Sequence, residues 1–136
     1  MKHVLGIVAV ALLFMVALQG GCAGEPEPEG IQLISPEEAY KNMEEDPDIV
    51  LVDVRTPQEY EESHVPGSIL LPLDRLEELA PERLPDTDAV IYLICRSGNR
   101  SAQAARLLEE MGYTRMYDLG GIQQWPYETV SGPEAP

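Results

Sequence analysis

The sequence is short of cysteine, tryptophan and basic side chains, and these shortages exclude several classes of protein. Its 136 residues include 2 cysteines, 1 tryptophan, and 9 lysines and arginines against 24 acidic residues, for a net charge of −15. Two cysteines cannot form a disulfide framework or a four-cysteine zinc site. Because so acidic a surface repels phosphate, nucleic acids and anionic lipid headgroups are not expected as partners. The length suffices for one compact domain and not for two.

The first 22 residues have the layout of an export signal. Lys2 gives a positive start, and Val4–Leu18 is an uncharged apolar run, shorter than the roughly 20 residues that span a membrane. The run ends in LQGGC, which resembles a bacterial lipoprotein cleavage site. We therefore expect Cys22 to be lipidated and the protein to be anchored to a membrane on the periplasmic or extracytoplasmic side. Cleavage after Ala23, which would release a soluble exported protein, is the alternative.

Segments rich in proline and glutamate flank the part of the chain that can fold. Residues 23–30 predict an extended tether and residues 131–136 a flexible tail, which leaves residues 31–130 as the domain. Within the domain, short apolar runs alternate with helical patterns, two of which begin at the capping sequences SPEE (35–38) and TPQE (56–59). This alternation predicts an α/β fold with a mainly parallel sheet and helices on both faces. Strands are expected at 31–34, 49–54, within 66–72, at 89–94 and at 115–119, and a turn is expected at Gly120-Gly121.

The segment YLICRSGNRSA places a single cysteine, Cys95, at the end of the strongest strand pattern. Ligand sites in parallel sheets gather beyond the carboxyl ends of strands. The loop that follows can curl tightly at Gly98 and leads into a helix expected to begin near Ser101, so its N–H groups would converge on the sulfur. Two arginines add positive charge, which favours a reactive thiolate over an inert buried thiol. The candidate substrate-binding residues are Arg96, Ser97, Gly98, Asn99 and Arg100.

The length of this loop indicates the size of the group that it binds. Four residues separate Cys95 from Arg100, one fewer than in the loops of tyrosine phosphatases. A tighter ring suits a persulfide with a sulfur oxyanion above it better than a phosphate. The sequence has no CxxC pair, no histidine cluster and no P-loop, so neither a metal nor another cofactor is expected.

Several residues near the loop are expected to support it. Asp53 ends a buried strand, and its carboxylate needs a partner such as the loop backbone or Arg55. Arg55 and Glu59 are expected to form an ion pair. Ser101 is expected to start the helix and to donate to the sulfur. His64 precedes a turn, where a structural role is favoured over that of a general base.

Three segments resemble, in order and spacing, those of single-domain rhodaneses, the thiosulfate sulfurtransferases: DVRTPQEYEESHVPGSI, YLICRSGNRSAQAARLLEEMGY and DLGGIQQW. The resemblance extends from about Leu33 to Tyr127 and implies a five-stranded, mainly parallel sheet. It also implies that the Cys95 thiolate takes sulfur from thiosulfate and passes it, as a persulfide, to cyanide, a thiol or another acceptor. Arg96 and Arg100 would hold the anionic end of the donor, and we expect a monomer.

Three other functions stay open on the sequence alone. The domain could be a non-enzymatic persulfide carrier or sensing module that binds a partner through the same thiol. It could be a cysteine-dependent phosphatase or arsenate reductase on a similar fold. It could also be a structural domain in which Cys95 is inert.

Overall fold

The structure, a computed structural model, describes residues 29–136; the expected export signal, Cys22 and most of the tether lie outside the described residues. Five strands form one parallel sheet in the order β1-β5-β4-β2-β3, which confirms the predicted fold. The strands are β1 (Gly30–Leu33), β2 (Val50–Asp53), β3 (Ile69–Leu70), β4 (Val90–Cys95) and β5 (Arg115–Gly121). The helices are α1 (Pro36–Glu45), α2 (Pro57–Glu62), α3 (Leu76–Arg83) and α4 (Asn99–Glu110), with 3-10 turns at Leu73–Arg75 and Ile122–Gln124.

The first two helices begin where the capping patterns predict. Ser35 Oγ accepts the Glu38 N–H at 3.2 Å in front of α1. Thr56 and Glu59 form a complete capping box at the start of α2, with the Glu59 N–H donating to Thr56 Oγ1 at 3.2 Å and the Thr56 N–H donating to Glu59 Oε2 at 2.9 Å. These bonds satisfy N–H groups that have no partner inside a helix. Each helix is therefore started by its own local sequence.

Alternation along β4 divides the core into two layers. Leu93 and Cys95 pack on the face that α3 and α4 cover, whereas Tyr92 and Ile94 pack on the opposite face with Ala39 of α1. Each fully buried aliphatic side chain contributes about 1.5–3 kcal/mol through removal from water. Both faces of β4 are covered, which is the arrangement expected for a strand that is apolar along its whole length. Cys95 itself therefore belongs to a packed layer and not to an open surface.

The structure differs from the predicted elements in three places. Helix α4 begins at Asn99, so the last two residues of the expected loop form its first turn. Gly120 and Gly121 end strand β5 and do not form the predicted turn, because an irregularity in the β4–β5 pairing extends the strand. The last six residues, predicted as a tail, make contacts with the domain: the Gly132 N–H donates to Glu61 O at 2.8 Å, and Glu134 pairs with Arg83.

Helices long and apolar enough to cross a membrane are absent from residues 29–136.

Candidate active site

Cys95 is the last residue of β4 and lies under the loop that leads into α4. Its side chain is free of disulfides and the residue is only 1% exposed. The Gly98 N–H donates to Cys95 Sγ at 2.9 Å, and Sγ lies 3.6 Å from Ser101 Oγ. The structure thus brings Cys95, Gly98 and Ser101 together, as the sequence predicts.

Opposing influences set the ionisation of Cys95. Burial is the largest influence and raises the pKa of the thiol, because it disfavours the charged form. Hydrogen bonds from the Ser101 side chain and from the N–H groups of Ser101, Gly98 and Ser97 lower it, and their combined effect prevails. The pKa of Cys95 is consequently below its ordinary value, so the thiol ionises more readily than an ordinary cysteine although the residue is almost fully buried.

Ser101 can serve both protonation states of the sulfur. Its hydroxyl donates to Gly98 O at 3.0 Å while Oγ can accept the Cys95 S–H. When the thiol ionises, the hydroxyl can rotate and donate to the sulfur instead, since a hydroxyl has one proton and two lone pairs. Ser101 is completely buried, so water does not compete for these bonds.

Gly98 gives the loop its shape. Its φ of +102° lies in the left-handed region, which other residues rarely adopt, and it serves as the N-cap of α4. This conformation turns the Gly98 N–H toward the sulfur and starts the helix one residue later. Arg96, Ser97 and Asn99 are exposed around it. Their part in binding a substrate stays a prediction.

Arg100 is paired with Glu59, which corrects the expected Arg55–Glu59 ion pair. The Arg100 guanidinium donates to both carboxylate oxygens of Glu59, each at 2.7 Å. Arg100 lowers the pKa of Glu59 to about 2, against a smaller opposing effect of burial, so this carboxylate is ionised at all ordinary pH values. The pair links the start of α2 to the first turn of α4. Binding of a donor by Arg100 stays a prediction, and such a donor would meet a guanidinium that Glu59 already holds.

Arg55 turns instead to the buried carboxylate of Asp53. Its Nε donates to Asp53 Oδ1 at 2.9 Å, and its Nη2 donates to Asp53 Oδ2 and to Ser63 O, both at 2.7 Å. Asp53 is fully buried and Arg55 is 5% exposed. The predicted support of Asp53 by Arg55 is confirmed. The sequence alone does not distinguish Arg55 from Arg100 as the partner of Glu59, because the two arginines are equally plausible until the chain folds.

His64 makes structural contacts with Tyr60 and Val130. Its Nδ1 lies 2.8 Å from Tyr60 O, its ring stacks on Tyr60 with centroids 3.7 Å apart, and its backbone pairs with Val130. It lines a different cleft from the one that Arg100 lines. The structure does not bring His64 to the loop, which agrees with the favoured structural role.

A cleft of about 270 Å³ lies beside the first turn of α4. Arg55 and Arg100 line it, and so do five residues that were not predicted as site residues from the sequence: Val54, Thr56, Pro72, Leu73 and Asp74. No local motif marks those five, since they meet only when β2 and β3 pair. Within residues 29–136, groups of three or more histidine, cysteine or acidic side chains arranged to hold a metal are absent.

Comparison with known proteins identifies the family. Residues 35–127 match the model of the rhodanese-like domain. The chain belongs to the rhodanese family. It is 36% identical over 81 residues to the thiosulfate sulfurtransferase PspE of Escherichia coli, an alignment that covers 60% of this chain and 78% of that protein. It is also 36% identical over 104 residues to the thiosulfate sulfurtransferase GlpE of Pseudomonas syringae, covering 73% and 94% of the two chains.

Solved structures of rhodaneses share this fold. The structure of a rhodanese with anions from E. coli superposes with a TM-score of 0.59 at 34% identity, over 62% of this chain and 99% of that one. A rhodanese-related protein from Thermoplasma volcanium superposes with a TM-score of 0.62 at 30% identity, over 73% and 97%. The five-stranded parallel sheet is therefore that of the rhodanese family.

Proposed function

We propose that this rhodanese is a sulfurtransferase that carries sulfur on Cys95 as a persulfide, with thiosulfate or a similar small anion as donor. The observation that carries the proposal is the donor set around the buried sulfur: the Gly98 N–H at 2.9 Å, the Ser101 hydroxyl, and the N–H groups of Ser97 and Ser101. Such donors stabilise negative charge on sulfur in both the free and the loaded enzyme. Relatives named thiosulfate sulfurtransferases support the same reaction class.

The first half-reaction loads the enzyme. The Cys95 thiolate attacks the outer sulfur of thiosulfate, an S–S bond forms to Cys95, and the S–S bond within thiosulfate breaks as sulfite leaves with the electron pair. No proton is transferred, so no general base is required. The reactants and the products each carry three negative charges. The Gly98 and Ser97 N–H groups remain close to the charge, which moves only one atom outward.

The second half-reaction regenerates the thiolate. An acceptor nucleophile, cyanide in an assay or a thiolate in the cell, attacks the outer sulfur of the persulfide, and the Cys95 thiolate leaves. The same hydrogen bonds that lower the pKa of Cys95 make it a good leaving group. One set of bonds thus serves nucleophile and leaving group in turn.

Arg96 is proposed as the principal cation for the donor. It is exposed beside the loop, and among the residues that the structure describes it takes part in no ion pair. Arg100, held by Glu59, is proposed to contribute a weaker attraction. Arg96→Ala should therefore raise the KM for thiosulfate with little change in stability. Arg106→Ala, a change of another exposed arginine on the far part of α4, is the matched control.

We further propose that the protein works outside the cytoplasm, attached to a membrane through lipid on Cys22. The LQGGC sequence after an apolar run supports this proposal. Cys22→Ser should release the protein from the membrane fraction without changing sulfur transfer in solution. Equal membrane association of the variant and the wild type would contradict the lipid anchor.

The test of the main proposal is intact mass after thiosulfate treatment, combined with turnover to cyanide. We expect a gain of one sulfur atom that reductant removes, continuous thiocyanate formation, and loss of both in Cys95→Ser with nearly unchanged thermal unfolding. One round of loading without turnover would favour a persulfide carrier. Hydrolysis of p-nitrophenyl phosphate would favour a phosphatase, and a Cys95→Ser variant that keeps full transfer would refute the mechanism.

A further inference from the structure

Strand β5 carries a bulge at the point where it reaches the active-site cysteine. Leu93 pairs with Asp118, but the next residue of β4, Ile94, pairs with Gly120, so Leu119 is an extra residue on β5. The Asp118 carboxylate accepts the Gly120 N–H at 3.0 Å across this irregularity. Because of this shift in register, Cys95 pairs with Gly121 and not with Gly120.

The active-site loop packs directly against Gly121. A Cβ atom on Gly121 would lie 2.4 Å from Arg96 O, 2.7 Å from Ser97 Cα and 2.9 Å from the Arg96 carbonyl carbon. These are backbone atoms of the loop, which cannot move aside as the end of a long side chain can. The Gln123 N–H also donates to Arg96 O, at 3.4 Å. The height of the loop above the sheet is thus limited by contact with a residue that has no side chain.

The reason for glycine differs between the two neighbouring positions. Gly121 has φ −102° and ψ 138°, which any residue can adopt, so only the contact with the loop requires glycine there. Gly120 has φ +85° with open space around the site of a Cβ, so only its backbone conformation requires glycine. Two successive glycines therefore meet two different physical constraints.

We propose that Gly121 is a positioning residue for sulfur transfer: with the Leu119 bulge, it lets the loop sit low enough for the Ser97 and Gly98 N–H groups to reach Cys95 Sγ. The Gly98 N–H to Sγ distance of 2.9 Å is short for a bond to sulfur and depends on this height. A methyl group at Gly121 would push Arg96 and Ser97 outward by more than half an ångström, since Cβ contacts under 3.0 Å essentially do not occur. Gly98, two residues from Arg96, would move with them.

The kinetic part of this inference rests on the proposed sulfur transfer, but its principal test does not. That test is titration of the Cys95 thiolate by its ultraviolet absorbance in the full-length protein, as the difference from Cys95→Ser. Gly121→Ala should move the titration midpoint up by about one pH unit, as loss of one hydrogen bond to a charged sulfur implies. The control is Gly112→Ala, which strains a glycine at φ +96° in open space at the end of α4. It should lower thermal stability and leave the midpoint unchanged.

A second pair of variants tests the bulge without adding bulk. Asp118→Ala removes both a negative charge and the acceptor for the Gly120 N–H, whereas Asp118→Asn removes the charge and keeps an acceptor oxygen. Loss of a nearby negative charge alone lowers a thiol pKa, but a displaced loop raises it. We therefore expect the midpoint to rise in Asp118→Ala and not in Asp118→Asn.

The outcomes separate this inference from the proposed function. An unchanged midpoint in Gly121→Ala overturns the positioning role, and so do equal midpoints in the two Asp118 variants. If Gly121→Ala does not fold, the Asp118 pair decides. A raised midpoint in a protein whose wild type transfers no sulfur would support the positioning of the thiolate and refute the proposed reaction. Where wild-type transfer is observed, we expect kcat/KM for thiosulfate in Gly121→Ala to fall about tenfold at a pH below the wild-type midpoint, in proportion to the thiolate fraction of the free enzyme.

Discussion

Replacement of Asp53 by asparagine should destabilise the domain severely, because it leaves the charge of Arg55 buried without a counter-ion. Asp53 is fully buried, and its two oxygens accept three hydrogen bonds from Arg55: two from Nε, at 2.9 and 3.1 Å, and one from Nη2 at 2.7 Å. The Arg55 N–H adds a fourth at 3.0 Å. Removal of one partner from a buried pair costs about 3–5 kcal/mol. Domains of this size have a total stability of about 5–15 kcal/mol.

The assay is urea unfolding followed by circular dichroism, with the slope of the transition checked for constancy. For a domain of about 100 residues, the expected loss corresponds to a fall in the melting temperature of more than about 10 °C. Glu78→Gln is the control, because it removes one partner of the exposed Arg75–Glu78 pair and should cause no measurable change. The double variant Asp53→Asn, Arg55→Met should recover much of the loss, since it removes the buried charge as well.

Two results would refute this reasoning. If Asp53→Asn behaves like Glu78→Gln, the buried pair does not have the energetic role that its burial implies. If the double variant is less stable than Asp53→Asn alone, then packing and the bond from Arg55 Nη2 to Ser63 O outweigh the buried charge.

Three further predictions concern protons and the last residues of the chain. Because the pKa of Cys95 is lower in the folded than in the unfolded protein, the free energy of unfolding of the wild type should rise relative to Cys95→Ser as pH increases from the folded pKa to the unfolded pKa. If the difference in free energy of unfolding between the two proteins does not change with pH, the lowered pKa is contradicted. The Glu59–Arg100 pair should contribute at most about 1 kcal/mol to the free energy of unfolding above pH 4.5, and the wild type and Glu59→Gln should become equally stable as pH falls toward about 2. A difference in stability that persists in acid would show that Glu59 has a role other than its charge. Glu134→Ala should speed hydrogen exchange at the Leu70 N–H, which donates to Glu134 Oε2 at 3.2 Å, whereas Glu82→Ala, at an exposed position of α3, should not. Equal exchange rates in the two variants would show that the last residues do not protect this edge strand.

The local sequence determined most of the architecture. Proline after Ser35 and after Thr56 marked the starts of α1 and α2, because capping depends only on residues within one turn. The apolar run that ends in Cys95 marked the central strand, and Gly98 marked a tight turn after it. The order and spacing of the three segments that resemble rhodaneses were enough to indicate the family, because both can be read directly from the amino-acid sequence.

The partners of the charged groups were decided only by the tertiary structure. Arg55 and Arg100 both suit Glu59 by sequence, but folding buries Asp53 beside Arg55 and carries Arg100 across to α2, 41 residues away along the chain. A buried carboxylate takes the nearest cation because desolvation makes an unpaired charge costly. Which arginine pairs with Asp53 and which with Glu59 therefore depends on burial, and burial cannot be read from a local sequence pattern.

The contact of Gly121 with the active-site loop is likewise tertiary. The sequence predicted its glycine as part of a turn, because local patterns report backbone freedom and not close approach between distant segments. An extra residue in β5 shifted the register by one and placed that glycine beside Cys95. The sequence by itself determined that Cys95 ends the central strand and which loop follows it. Only the folded sheet decided how closely the loop approaches that sulfur, because strand register is set by pairing across the whole sheet.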